Sequence, residues 1–199
     1  MKAGAPPTRR ALMTSLAALS LTDTPRAAAS TDRDGANAPA STVLVAYLSR
    51  SGNTRVVAGL IRRATRADVF EIRSAVPYPD EYLATVEQAR QERDRGIEPA
   101  LEVKAPDLGR YDTVYLGFPI WGETAPPLIR SFLSAHDLAG KTLIPFITHG
   151  GYGVGSSERV IAQHAPGARL RRSFVMQADQ ERQTMERVEG WLRTSAGAR

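Results

Sequence analysis

The chain of 199 residues contains no cysteine. That excludes disulfides, thiolate nucleophiles, cysteine-ligated zinc, iron–sulfur clusters and a lipid-anchored leader, so any redox chemistry must reside in a bound cofactor. Long apolar runs are also missing: no stretch approaches the roughly 18–20 residues that would span a bilayer, which argues against stable membrane insertion. No lysine or arginine block forms a stripe in the body of the chain, so the basic pI of 9.9 does not point to a nucleic-acid partner. There is no G-x-x-x-x-G-K loop and no G-x-G-x-x-G fingerprint, which disfavours ATP and a Rossmann-bound dinucleotide. Ser156-Ser157 and His149 lack a G-x-S-x-G elbow and an acid to orient the histidine, so serine-hydrolase chemistry is a weak reading. His149 has no second His, Asp or Glu at ligand spacing and reads as a hydrogen-bonding loop residue, not a metal ligand.

What is present suits one globular domain behind a tail, with 42% hydrophobic and 24% charged residues. Residues 1–41 are rich in Ala, Ser, Thr, Pro and Arg. Within them, Thr8-Arg9-Arg10-Ala11-Leu12-Met13 leads into the moderately apolar segment 11–21, and Ala27-Ala28-Ala29 precedes Ser30. This resembles a twin-arginine export signal with cleavage after Ala29, leaving 30–41 as a disordered linker and 42–199 as the folded domain. The other reading is a basic tail, or a start at Met13, with the protein cytoplasmic. Residues 1–29 carry Lys2, Arg9, Arg10 and Arg26 against Asp23, so their removal takes away three of the five net positive charges.

The mature chain alternates strand and helix patterns. Val43-Leu44-Val45-Ala46-Tyr47-Leu48 is a continuous apolar run, followed by the polar loop Ser49–Thr54 and a helix with Val56, Val57, Leu60 and Ile61 on one face. Val69–Arg73 alternates as a strand nearer the sheet edge. Asp80 is placed to cap a helix burying Tyr82, Leu83 and Val86 and ending at Gly96. Residues 97–109 read as an irregular connection with an extended piece at 101–103. Thr113–Phe118 is a second buried strand, leading through Pro119–Pro127 into a helix over 128–138. Thr142–Ile147 is the third, and Pro145 within it predicts a bulge or strand end, because proline removes a ladder donor. A short helix around Val160–Ala162, a fifth strand Leu170–Met176 and a terminal helix Arg182–Arg193 complete five β-α units. The pattern predicts a three-layer α/β sandwich with a five-stranded parallel sheet.

Three unusual loops follow the first, third and fourth strands, so all leave the carboxyl edge where open α/β sheets bind ligands. The first, Ser49-Arg50-Ser51-Gly52-Asn53-Thr54, offers hydroxyls and amides at a helix N-terminus, which suits a terminal monophosphate; it also suits a plain helix cap.

Taken together the loops resemble those of the flavodoxin-like family of FMN-binding proteins, most of all the subgroup with Tyr-Pro-Asp-x-Tyr, Pro-Ile-Trp and Thr-His-Gly-Gly segments, here Tyr78–Tyr82, Pro119–Trp121 and Thr148–Gly151. The resemblance implies FMN as cofactor. It places the phosphate on Ser49, Arg50, Ser51, Gly52, Asn53 and Thr54, and the ring between Pro119, Ile120, Trp121, Gly122 and Thr124 on one side and His149, Gly150, Gly151 and Gly153 on the other. Trp121 would cover the ring face, or serve as an ordinary core or rim aromatic. Where the subgroup has a second tryptophan and then glycine, this chain has Gly122-Glu123; an inward carboxylate would disfavour an anionic reduced ring, an outward one would not. The implied function is electron transfer or flavin-dependent reduction, with a redox protein or a small acceptor such as a quinone as partner and, for an enzyme, NAD(P)H or quinone chemistry. A non-catalytic α/β module holding another phosphate-bearing ligand is the alternative. Electron donor, acceptor and oligomeric state stay open.

Overall fold

In the computed structural model, residues 41–105, 107–177, 188 and 190–195 are described. The export segment and linker expected over 1–41 lie almost wholly outside them, as does most of the terminal helix. The strands are β1 (Val43–Tyr47), β2 (Asp68–Glu71), β3 (Thr113–Pro119), β4 (Thr142–His149), β5 (Arg169–Leu170) and β6 (Phe174–Gln177). The helices are α1 (Asn53–Thr65), α2 (Tyr82–Asp94), α3 (Pro127–Ala135) and α4 (Ser157–His164). Strand order is β2-β1-β3-β4-β5 with β6 also beside β4, and every strand pair is parallel.

Why β1, β3 and β4 sit at the centre follows from their side chains. Leu44 and Ala46, Val114, Leu116 and Phe118, and Leu143 and Ile147 point to one face, where they meet Leu128, Ile129 and Phe132 of α3 and Val160 and Ile161 of α4. Val45, Tyr47, Tyr115 and Phe146 point to the other, against Val57, Leu60 and Ile61 of α1 and Val188 and Leu192 of the terminal helical segment. A strand buried on both faces has no polar side, which is why these segments read as unbroken apolar runs.

β4 runs straight through Pro145, which pairs with Leu116 without a bulge, contrary to expectation. The ladder explains it. Thr142 N donates to Asp112 O and Thr148 O accepts from Ile120 N, whereas Leu143 O accepts from Arg171 N, so even-numbered residues of β4 face β3 and odd-numbered ones the opposite side. The N–H that Pro145 lacks would have pointed at residues 171–173, where the neighbouring strand is interrupted. The expected fifth strand is for the same reason two short strands: Arg171-Arg172-Ser173 stand between β5 and β6.

Two features of α2 also differ from expectation. Its N-cap is Glu81, not Asp80: the Glu81 carboxylate accepts from Leu83 N at 3.0 Å and Ala84 N at 2.6 Å. Its inward residues are Thr85 and Ala89, with Tyr82 and Leu83 exposed. Small residues bring the helix axis close to its support, and Thr85 Oγ1 donates to Pro79 O at 2.7 Å. α3 ends at Ala135, short of Leu138, and His136 ties off the end. Its Nε2 accepts from Ala105 N at 3.0 Å, so Nδ1 carries the proton and donates to Phe132 O at 2.7 Å. Burial, offset in part by that bond, pushes the His136 pKa down and favours this neutral form.

Candidate cofactor site

The loop after β1 is organised by Ser49. Its Oγ accepts from Gly52 N at 3.2 Å and Arg55 N at 3.3 Å, which occupies its lone pairs and leaves its own proton to donate outward. Gly52 caps α1 without a side chain, so the first-turn amides of Asn53 and Thr54, which have no intrahelical acceptor, face the loop with nothing in competition. No acidic residue lies in that first turn, and the helix end carries partial positive charge. Ser51 is exposed, with Asn53 Nδ2 at 3.4 Å from its Oγ. Arg50 is turned toward the segment after β2, donating to Asp80 O at 3.1 Å and lying 5.1 Å over the Tyr82 ring. Thr54 is different in kind: it is 1% exposed and its hydroxyl pairs with that of Thr148 at 2.9 Å, so only its amide is offered to a ligand.

The loop after β3 closes as a tight turn in which Trp121 N donates to Thr124 O at 3.1 Å. Gly122 and Glu123 at its tip have φ of 58° and 67°, and the Glu123 side chain faces solvent, which removes the buried-carboxylate reading. Arg93 of α2 donates from Nη1 to Gly122 O at 3.1 Å, and a Cβ at Gly122 would meet the same nitrogen at 3.1 Å. A guanidinium thus stands beside the position where the resemblance puts a second tryptophan. Trp121 itself is 3% exposed, its ring 4.9 Å from Tyr78 in an edge-on contact. Trp121 is therefore buried against Tyr78 in this structure, in keeping with the core-or-rim alternative of the sequence reading. Tyr78 donates to Glu92 Oε2 at 2.7 Å; burial and this partner push its pKa far up, so the hydroxyl keeps its proton.

The loop after β4 folds back on His149, whose Nδ1 accepts from Gly151 N at 3.0 Å and Gly153 N at 3.2 Å. The ring is therefore a loop organiser, as its lone position suggested. Ser156 joins this loop to the previous one: its N–H donates to Glu123 O at 3.2 Å and its Oγ to Thr124 Oγ1 at 2.8 Å. Ile120 N to Thr148 O, at 2.9 Å, makes another tie.

The three loops expected to converge therefore do, cross-linked through Thr148 and Ser156. Thr124 is 4% exposed and belongs to that framework. Pro119 and Ile120 are half-buried, and Gly150 and Gly151 are exposed beside Tyr152, which is 93% exposed. These, with the backbone around Gly122 and Gly153, are the surfaces open to a flat ligand. The donor set at Ser49, Ser51, Asn53 N and Thr54 N fits a terminal monophosphate: neutral hydroxyls and amides at a helix N-terminus, with no carboxylate among them. Among the described residues no group of His, Cys, Asp and Glu could hold a metal ion. A cavity of about 860 Å³ lies elsewhere, under Val43, Thr113 and Thr142 at the opposite edge of the sheet, and has no part in this site.

Arg93, Thr148 and Ser156 were not among the expected site residues. Thr148 could have been found, since it ends an apolar strand at the ligand edge; Arg93 lies in a polar helical half with nothing to distinguish it.

The strand order β2-β1-β3-β4 reverses direction between β1 and β3, and the site lies at that switch, a rule for which flavodoxins are themselves a standing example. The family pattern described as flavodoxin matches residues 42–195. Among solved structures, a protein described as a flavoprotein from Bacteroides uniformis ATCC 8492 is 31% identical, with 77% of this chain and 99% of that one covered at a TM-score of 0.68. One from Bacteroides eggerthii DSM 20697 is 31% identical, with 77% and 97% covered at 0.67. A flavoprotein from Lactobacillus acidophilus NCFM, solved in complex with FMN, is 18% identical, with 74% and 99% covered at 0.60, and shares the fold. No curated protein matches in sequence. On the family match across the whole folded domain, this chain belongs to the flavodoxin family.

Proposed function

We propose that the protein binds FMN at the carboxyl edge of its sheet and acts in electron transfer or flavin-dependent reduction of a small acceptor. The observation that carries this reading is the convergence of three loops, tied by the Thr54–Thr148, Ile120–Thr148 and Ser156–Glu123 hydrogen bonds, around a helix N-terminus built for a monophosphate. When bound, FMN supplies the redox chemistry that a cysteine-free chain lacks. The chain's own part is to hold the phosphate through Ser49 Oγ, Ser51 Oγ and the amides of Asn53 and Thr54. Pro119 and Ile120 shape one side of the ring and the Gly150–Gly153 backbone the other. Trp121 and Tyr78 keep the floor of the site dry.

The rim exposes Tyr152, Tyr82 and Leu83, apolar surface suited to a redox protein or a quinone-like acceptor. Purified protein should be yellow, with one FMN released on denaturation; a colourless protein that takes up no added FMN would favour the non-catalytic module. Steady NAD(P)H oxidation with a quinone separates a reductase from a carrier. Export is part of the same proposal: a twin-arginine route carries folded proteins, so FMN could be loaded before crossing. Arg9-Arg10→Lys-Lys should trap the protein in the cytoplasm, and unchanged secretion would refute the assignment.

A further inference from the structure

We propose that Arg93 is a positioning residue that latches the Trp121–Thr124 turn in the conformation the cofactor site uses; the inference rests on the FMN reading above. The turn presents a conflict between local sequence and structure. Left-handed φ at both Gly122 (58°) and Glu123 (67°) is the signature of a type I′ turn. A Gly-X pair, however, prescribes type II′, in which only the first central residue is left-handed and the second, here Glu123, relaxes to an ordinary negative φ. The two forms interconvert by rotating one peptide, the one between Gly122 and Glu123.

Arg93 acts on that peptide. Its Nη1 donates to Gly122 O at 3.1 Å, and its side chain is only 26% exposed. Rotation to type II′ would carry the carbonyl away and strand a half-buried guanidinium, left with Asp94 Oδ1 at 3.4 Å. The absent Cβ of Gly122 lets the guanidinium approach this closely. The other ties to the turn do not make this choice. Trp121 N to Thr124 O joins the two residues flanking the turn and leaves the central peptide untouched, and Glu123 O, which accepts from Ser156 N, lies on the following peptide. The orientation of one backbone carbonyl beside the ring site is thus set from α2, 29 residues away in sequence.

A double-mutant cycle tests this, because glycine at 123 removes the preference for type II′ and makes the latch dispensable. In the apo protein, Arg93→Leu should speed amide exchange over residues 121–124 about tenfold, while Arg93→Leu with Glu123→Gly should stay within about twofold of Glu123→Gly alone. FMN dissociation constants should follow the same pattern, about tenfold weaker for Arg93→Leu and nearly unchanged in the glycine background, with Arg93→Lys restoring most of the affinity. Equal losses with and without Glu123→Gly would show a merely structural role and overturn the latch. So would exchange and affinity unchanged in Arg93→Leu. Arg93→Gln provides the same comparison where the leucine variant does not fold. If the wild-type protein takes up no FMN, the functional reading fails, while the exchange measurements on apo protein still decide the latch.

Discussion

Replacing Gly155 by alanine tests how closely the two ring-side loops are joined. A Cβ there would lie 1.7 Å from Glu123 O and 2.7 Å from its carbonyl carbon, both backbone atoms of the neighbouring loop that no rotamer change can move. The position has φ of 52°, which adds about 1 kcal/mol for a residue with a side chain. To restore even a 3.0 Å contact the loops must part by more than 1 Å. That breaks Ser156 N to Glu123 O (3.2 Å) and strains Ser156 Oγ to Thr124 Oγ1 (2.8 Å), bonds worth about 1 kcal/mol each. The expected loss is about 2–4 kcal/mol, read as a fall in the urea midpoint at constant m-value. In a domain of this size it corresponds to a Tm lower by roughly 5–15 °C. FMN affinity should fall about tenfold, since the ring-side backbone is displaced by a distance large for positioned groups. Gly150→Ala is the control, with no atom within 4 Å of its Cβ, and should stay within about 0.5 kcal/mol of wild type. A Gly155→Ala protein as stable as that control, with unchanged FMN affinity, would refute the close approach.

Ser49→Ala removes the acceptor of two loop amides and one phosphate donor; we expect about 1 kcal/mol lower stability and about tenfold weaker FMN binding, by denaturation and by flavin titration. At the buried hydroxyl pair, Thr54→Val or Thr148→Val alone leaves an orphan and should cost about 1–3 kcal/mol, while the double valine variant should recover much of it; purely additive losses would contradict the pairing. Glu81 is held below its ordinary pKa of 4.5 by the amides of Leu83 and Ala84, with a smaller favourable contribution from Arg50. A depressed folded pKa means that its stabilisation of α2 is present above pH 4.5 and lost as the pH falls through the lowered value. Amide exchange at residues 83–85 should therefore rise over that acid range in wild type and be pH-independent, beyond intrinsic chemistry, in Glu81→Gln.

The central strands were legible because burial on both faces admits only one kind of residue, and a run such as Val43–Leu48 has no other easy reading. Pro145 was misleading because ladder direction depends on which neighbour is present at each rung, a fact held by residues 171–173 and not by β4. The inner face of α2 was misread because Thr85 and Ala89 are small: what brings that helix close is the absence of bulk, while Tyr82 and Leu83 stay outside. The Ser49–Thr54 turn was legible as a loop at the carboxyl edge of the sheet through its position after a strand and before a helix. How deeply Trp121 sits was not, because a large aromatic in a ligand loop reads equally as ring cover or core residue, and its packing against Tyr78 appears only in the fold.

The broken strand beside β4 bears on how copies of this protein meet. An outer strand with a full row of free donors and acceptors invites pairing with another copy and, from there, fibrous growth. Here that border offers a two-residue rung at Arg169–Leu170, a gap, and four residues at Phe174–Gln177, while the opposite border, Asp68–Glu71, is also four residues long. At its end Glu71 is clasped by Arg55 at 2.5 Å and Arg73 at 2.7 Å, which crowds the approach with charge. Among the described residues, a second sheet would find only short templates of two to four residues on either side. The interruption that absorbs one missing proline N–H thereby also guards against self-association during folding, when such borders are most exposed.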